Sequence, residues 1–453
     1  MPASLEFLPL PAGMGQAYQQ IIANPDDDLP RLIYADWLDE RGDPRGEFIR
    51  LQIARTRLEE LVISLVTGEG VSGDLRCVQV RLYQVYVELR QRENLLLKQY
   101  RAEWLAPFRG LTSGEEFRRG FVESVKIAAR TFLQHASRLF ALTPIRHVQI
   151  LDLDAWADSL AACPFLDRLE ALTIHAQHSG PALATALARS PYLSGLRRLC
   201  LSRNRLGDEG LNQLASRPWP NLEVLDLSHN YLSSVVATIL QKRRRHFPRL
   251  HSLQLGNNNL GPNGSYQLTD GPLVRQLVFL GLAGNQIGQD SKLSSLRSLL
   301  TLPELDLSNN GLSACGLQAL LIPAIAPHGP LGELPSQIRL LKLSRNQLGD
   351  AGARLLANAC CFPELQTLHL AGCNIRDAGA QALAAGCFPK LHTLDLSNNP
   401  IGSEGFSHFI DPYKLRLTKL RYLLRTASTL PPNLNYELER RFPLLPNLGV
   451  GPA

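Results

Sequence analysis

Apolar residues recur in a fixed frame through the second half of the chain. The pattern L-x-x-L-x-L-x-x-N-x-L starts at Leu196, Leu222, Leu250, Leu277, Leu302, Ile338, Leu365 and Leu391, at steps of 25–28 residues apart from one of 36. The long step contains Pro323, Pro327 and Gly329-Pro330, which reads as a loop insertion. Weaker copies precede it at Val122/Val125/Ile127, Ile145/Val148/Ile150 and Leu169/Leu172/Ile174, and a degenerate copy follows at Leu417/Leu420/Tyr422. Apolar residues two apart predict a short strand with both side chains facing inward. Beyond each turn, Asp208, Asp350, Asp377 and Ser403 stand where a helix N-cap is expected, followed by apolar residues at helical spacing such as Leu211, Leu214 and Ala215. About twelve units span residues 117–425.

Seven units carry Asn at the turn: Asn204, Asn230, Asn258, Asn285, Asn310, Asn346 and Asn399. An inward amide both donates and accepts, so it can satisfy backbone groups that the turn leaves unpaired. Cys373 holds the equivalent place in the eighth unit, where a weaker turn is expected. This frame resembles the leucine-rich repeat, and its step length resembles the ribonuclease-inhibitor-like subclass. The resemblance implies an α/β fold, a right-handed solenoid shaped as a horseshoe, with parallel strands on the concave face and helices on the convex one. Strands stack about 4.8 Å apart while helices need roughly 8–10 Å, so the helix side must fan out.

The N-terminal part follows another rhythm. Residues 1–12 read as a loose tail and 13–66 as three short helices. The first ends at Asn24-Pro25, the second stops at Gly42, and the third opens with Asp43 and Pro44. Residues 67–116 read as a loop (Gly68–Gly73), a long charged helix over about 75–103, and a junction. Residues 426–453 read as a cap and tail. The run Asn24-Pro25-Asp26-Asp27-Asp28 through Arg31-Leu32-Ile33-Tyr34-Ala35-Asp36-Trp37-Leu38 to Phe48-Ile49-Arg50 resembles the repeat-companion domain, a bacterial, planctomycete-type module that precedes repeats. Glu116-Phe117-Arg118-Arg119-Gly120-Phe121 is similar to its junction with them. That resemblance implies architecture and no chemistry.

Hydrophobic residues make up 45% of the 453 and charged residues 19%, which excludes wholesale disorder. The net charge of +6 is spread thinly, so a nucleic-acid partner is not expected. The longest apolar stretches, such as Ala319–Ala326, are too short to span a bilayer, and no Lys or Arg precedes Arg31 to open a secretory signal. A cytoplasmic location without membrane contact is expected. The eight cysteines form no C-x-x-C pair, which argues against zinc and for reduced thiols.

Residues 24–50 hold eight carboxylates against four arginines. They lack the D-x-[DN]-x-[DN]-G pattern of a calcium loop, so caps and surface ion pairs are expected, ahead of a cation site or a docking face. Lys242-Arg243-Arg244-Arg245-His246 is expected as a solvated helix end. No nucleophile–base constellation is recognisable, although His369, His392 and His408 fall in successive units. Neither a metal nor a cofactor is expected.

The concave columns are the expected binding surface. The central one reads Lys126, Gln149, Thr173, Cys200, Asp226, Gln254, Gly281, Asp306, Lys342, His369, Asp395 and Arg421, with Phe279 on the adjacent column. Asp226, Phe279, Glu304, Asp306, Lys342, Arg345, His369 and Asp395 are the candidate partner-binding residues. The expected function is a non-enzymatic scaffold that binds an unidentified protein. Two alternatives are an enzyme regulator such as a GTPase activator, on fold analogy alone, and a structural paralogue without a tight partner. The sequence does not fix the oligomeric state.

Overall fold

The structure is a computed structural model. It describes residues 15–67, 75–175, 180–269, 271–289, 296, 298–325, 336–359, 361–426 and 430–442. The 1–12 tail, the Gly68–Gly73 loop and most of the insertion after residue 325 lie outside the described residues. The chain forms two compact units, residues 1–175 with 191–195, and residues 176–190 with 196–453.

The first unit opens with four helices: α1 (Gly15–Ala23), α2 (Asp28–Asp39), α3 (Arg45–Thr67) and α4 (Leu75–Trp104). The third is not short. Asp27 caps α2 by accepting from the Leu29 amide at 2.9 Å, and Asp43 accepts from the Arg45 amide at 2.9 Å at the start of α3. The buried stripe of α2 is Arg31, Tyr34, Ala35 and Leu38, spaced i, i+3, i+4, i+7, and it leaves Ile33 exposed. Ile21, Ile49, Ile53 and Phe121 close this core, while Phe48, Leu96 and Trp104 form a second.

Beyond α4, β1 (Gly114–Arg118) pairs antiparallel with β2 (Phe121–Ala128), so the junction is itself a strand. Next come α5 (Ala129–Leu142), β3 (His147–Leu151), α6 (Ala157–Ala161) and β4 (Ala171–Ile174), with β2, β3 and β4 parallel. Val125, Ile127, Val148, Ile150, Leu172 and Ile174 are all buried, as their frame requires.

The second unit repeats one motif. After α7 (Gly180–Arg189) come β5 (Arg198–Cys200), α8 (Gly207–Leu214), β6 (Val224–Asp226), α9 (Val235–Lys242), β7 (Ser252–Gln254), α10 (Gly261–Thr269), β8 (Phe279–Gly281) and β9 (Glu304–Asp306). Then follow α11 (Ala314–Ile325), β10 (Leu340–Lys342), α12 (Gly349–Asn358), β11 (Thr367–His369), α13 (Asp377–Ala384), β12 (Thr393–Asp395), α14 (Ser403–Ile410), β13 (Tyr422–Leu424) and α15 (Pro432–Arg441). Strands β5 to β13 pair parallel in chain order, with the frame leucines in register and, apart from the half-buried Leu420, buried. This is an α/β solenoid of the leucine-rich-repeat type.

Two expectations need correction. Leu424, not Arg421, sits beside Asp395, because the last unit follows Leu420/Leu423 rather than Leu417/Leu420. The acidic residues at the helix starts do not cap their own helices; they reach the next repeat. Asp350 Oδ1 accepts from the Arg376 and Gly379 amides at 2.7 and 3.0 Å, and Asp377 Oδ1 from Gly402 and Gly405 at 2.6 and 3.0 Å. Asp208 likewise accepts from the Ser233 amide at 2.9 Å. Gly379 permits the approach, since a Cβ there would stand 2.6 Å from Asp350 Oδ1. Ser403 opens α14 without a side-chain cap; Gly402 is its N-cap.

Candidate functional site: the strand face of the second unit

The turn asparagines form a ladder, buried throughout except at the half-buried Asn399. Asn230 Oδ1 accepts from the Asn204 and Leu206 amides of the preceding repeat at 3.0 and 3.3 Å, and its Nδ2 donates to the Leu201 and Ser228 carbonyls at 2.8 and 3.1 Å. Asn258, Asn310, Asn346 and Asn399 repeat the arrangement, and Asn285 accepts from the Leu260 amide at 3.3 Å while its Nδ2 donates to the Leu255 carbonyl at 2.9 Å. Asn204, the first member, is buried and donates to the Ser202 carbonyl at 3.1 Å. Cys373 keeps half of it: its thiol donates to the Leu343 carbonyl at 3.2 Å, and burial pushes that thiol up to about 11.

With leucines and asparagines turned inward, alternate strand residues are left outward. The central column runs Cys200, Asp226, Gln254, Gly281, Asp306, Lys342, His369, Asp395, Leu424, and beside it Arg198, Val224, Ser252, Phe279, Glu304, Leu340, Thr367, Thr393, Tyr422. Tyr422 is therefore a second aromatic in the column of Phe279, concealed by the frame shift of the last unit.

Five of the eight candidates come together. Glu304, Asp306, Lys342, His369 and Asp395 occupy the four neighbouring strands β9 to β12, half-buried and of both signs. His369 Nδ1 lies 3.2 Å from Asp395 Oδ2. Burial pulls the Asp395 carboxyl up, but hydrogen bonds from His369 and Ser397 outweigh it and hold the group below its ordinary value. Glu304 goes the other way, raised by burial against the pull of Lys342 and Arg339. Phe279 borders Glu304 on β8 and leans over Gly281, where a Cβ would stand 3.2 Å from its ring. Arg345 is exposed in the following turn with its stem over Gly372. Asp226 stands apart, three strands from Asp306, and accepts from the Ser228 amide at 2.9 Å.

The acidic segment of the first unit serves as caps and ion partners. Asp28 pairs with Arg57 at 2.9 Å, Glu47 with Arg92 at 2.5 Å, Asp36 and Asp39 with Arg50, and Asp26 with Arg146. At its centre lies a buried pair that sequence reading missed. Arg31 Nη2 meets Glu123 Oε1 at 2.6 Å with both side chains inaccessible, and Arg31 also donates to the Arg119 and Pro25 carbonyls at 3.0 and 2.8 Å. Burial draws the Arg31 guanidinium down to about 10 despite Glu123. A charged residue inside the i, i+3, i+4, i+7 stripe of α2 was the available signal.

Among the described residues no three His, Cys, Asp or Glu side chains are grouped to hold a metal ion. No helix of the described residues is long and apolar enough to cross a membrane.

Known proteins share this repeat. Leucine Rich Repeat families match residues 195–215, 221–242, 298–321, 338–357 and 363–410, the last as two copies. The repeated unit is a leucine-rich repeat. The chain is 28% identical to the ribonuclease inhibitor of Sus scrofa over 264 residues, 51% of this chain and 58% of that protein. It is 33% identical to the podocan-like protein 1 of Homo sapiens over 208 residues, 46% of this chain and 35% of that one. The chain thus covers less than two thirds of either relative. A leucine-rich repeat-containing protein of Legionella pneumophila aligns in structure with a TM-score of 0.39 at 19% identity, over 56% of this chain and 83% of that one. Leucine-rich repeat proteins generally mediate protein–protein interaction.

Proposed function

We propose that the protein is a non-enzymatic interaction scaffold whose strand face, the concave one of the expected horseshoe, binds a protein partner. The observation that carries this is the in-register patch of Glu304, Asp306, Lys342, His369 and Asp395. Its charges project from a frame that the leucines and asparagines hold without them. Such a patch can specify a partner while leaving the core untouched. Phe279 and Arg345 extend it, and Asp226 is a separate contact. The inhibitor among the relatives supports a binding role.

The helical residues 13–66 are proposed as a bacterial repeat-companion domain, 67–116 as its connection, 117–425 as the repeat array and 426–453 as its cap and tail. A cytoplasmic location with reduced thiols is proposed, since the cysteines form no C-x-x-C pair in the sequence.

The test immobilises the full chain and captures partners from lysate of the source cells, in parallel with an Asp306→Lys, Lys342→Glu variant. One protein retained in stoichiometric amount by the parent and lost by the variant, at equal melting temperature, supports the reading. Equal retention by both overturns it.

A further inference from the structure

The turn after each strand places the residue before the ladder position in the left-handed region in eight successive repeats. These are Arg203, His229, Asn257, Gly284, Asn309, Arg345, Gly372 and Asn398, with φ of 52–67°. Five of them are Asn or Gly, which adopt this conformation at least cost. Arg203, His229 and Arg345 take it instead, and Arg205 (φ 54°), Tyr231 (φ 58°) and Gln286 (φ 57°) adopt it just past the ladder position; among these eight, only the first two repeats carry two such large side chains each, Arg203 with Arg205 and His229 with Tyr231. Four bulky side chains thus sit in a conformation that disfavours them.

Folding draws little from these groups. Arg203 and Arg205 are exposed, Tyr231 is 70% exposed, and among the described residues none of the three side chains has a hydrogen bond or ion pair. The turn geometry is common to all eight repeats, so what sets the first two apart is the choice of large exposed side chains at places where Asn or Gly would cost less. The charge is also unbalanced. The neighbouring Asp226 is engaged by the Ser228 amide at 2.9 Å and by the Cys200 thiol at 3.4 Å. The Arg203 amide donates to the Ser228 carbonyl at 3.0 Å, which sets residue 203 beside His229, and burial with the Arg203 charge holds the His229 imidazole below its ordinary value against the pull of Asp226.

We propose that Arg203, Arg205, His229 and Tyr231 form a docking patch for an acidic segment of a protein partner. The two guanidiniums take its carboxylates, and the Tyr231 ring covers an apolar or aromatic side chain beside them. Arginine forks match carboxylates in bidentate geometry, and Arg and Tyr dominate the energetics of protein interfaces. The inference rests on the interaction reading above and gives the partner a charge.

The experiment measures fluorescence anisotropy of a labelled twelve-residue peptide, four repeats of Glu-Glu-Tyr, on the full chain. A single-stranded oligodeoxynucleotide of equal charge is run beside it. One variant carries Arg203→Asn, Arg205→Asn and Tyr231→Asn, adopting a residue that other repeats use in these turns. A second carries Arg243→Gln and Arg244→Gln, removing equal charge from another exposed basic run. The expected result is peptide binding at least about tenfold weaker in the first variant, as loss of one charge-assisted contact implies. Its melting temperature should be equal or higher, and the second variant should bind as the parent does. Any of four results overturns the proposal: no peptide binding by the parent, equal weakening in both variants, tighter binding of the oligonucleotide through the same residues, or a lower melting temperature in the first variant. Capture by the strand-face patch is read with Asp306 and Lys342 variants that leave these turns intact, so either reading can fail alone.

Discussion

Replacing Asn230 by Ala tests the ladder most directly. The amide serves four backbone groups: it accepts from the Asn204 and Leu206 amides and donates to the Leu201 and Ser228 carbonyls. Its side chain is fully buried, so water cannot take over these contacts. An unsatisfied buried group costs about 1–3 kcal/mol, and carbonyls with two lone pairs suffer less than amides. Two orphaned amides therefore predict a loss of about 2–6 kcal/mol. Urea unfolding followed by circular dichroism reads the total, and amide exchange reads its location: Asn204 and Leu206 should lose protection before residues of β10 to β12. A loss below about 0.5 kcal/mol, or uniform exchange across the repeats, would refute the reasoning.

Other variants probe neighbouring links. Cys373→Asn should raise stability by about 1 kcal/mol, since an amide oxygen accepts better than a thiol; urea midpoints check it. Asp350→Ala removes an acceptor from the Arg376 and Gly379 amides and should cost about 1–2 kcal/mol, with exchange rising at the start of α13. Glu123→Ala leaves Arg31 buried without its carboxylate and should cost about 3–5 kcal/mol by the same measure. The Asp395 carboxyl titrates lower in the folded state, so it contributes stability above its unfolded value of about 3.9 and loses that contribution as pH falls through the folded one. The parent should therefore lose more stability than Asp395→Asn on acidification from pH about 5, measured by urea unfolding at each pH.

Strand positions were legible because the signal is local and repeated: two leucines two residues apart fix which side chains face in, and hence both outward columns. Legibility failed where partners lie a full repeat away. Asp350 sits at a helix start, and local capping rules assign it to its own helix; only stacking brings the next helix within 3.0 Å. The last unit failed for a different reason. Leu417, Leu420 and Leu423 are spaced by three, so two frames satisfy the leucine pattern, and pairing of Leu423 with Leu394 selects the second. By composition Arg31 belongs with the surface charges of its segment, but its spacing from Tyr34, Ala35 and Leu38 places it on the buried stripe. The site candidates followed from the columns, yet grouping them required register, which separates Asp226 from Asp306 by two intervening strands.

The two polar links run in opposite directions along the array. Each turn asparagine completes the repeat before it, and each acidic residue at a helix start completes the repeat after it. A strand of three residues or a helix of eight to ten cannot persist in isolation. Stability must therefore reside in the interfaces between repeats, as expected of a quasi-one-dimensional array. An end that lacks a neighbour then needs a substitute, and at the last strand the Thr426 hydroxyl supplies one. It accepts from the Asn398 amide at 2.7 Å, where Gly372 in the preceding repeat uses the Ser397 carbonyl. Neither link draws on Glu304, Lys342, Arg203 or Tyr231. Those four side chains are thus free of the work that holds the repeats together, and a partner can select them without a cost to the frame.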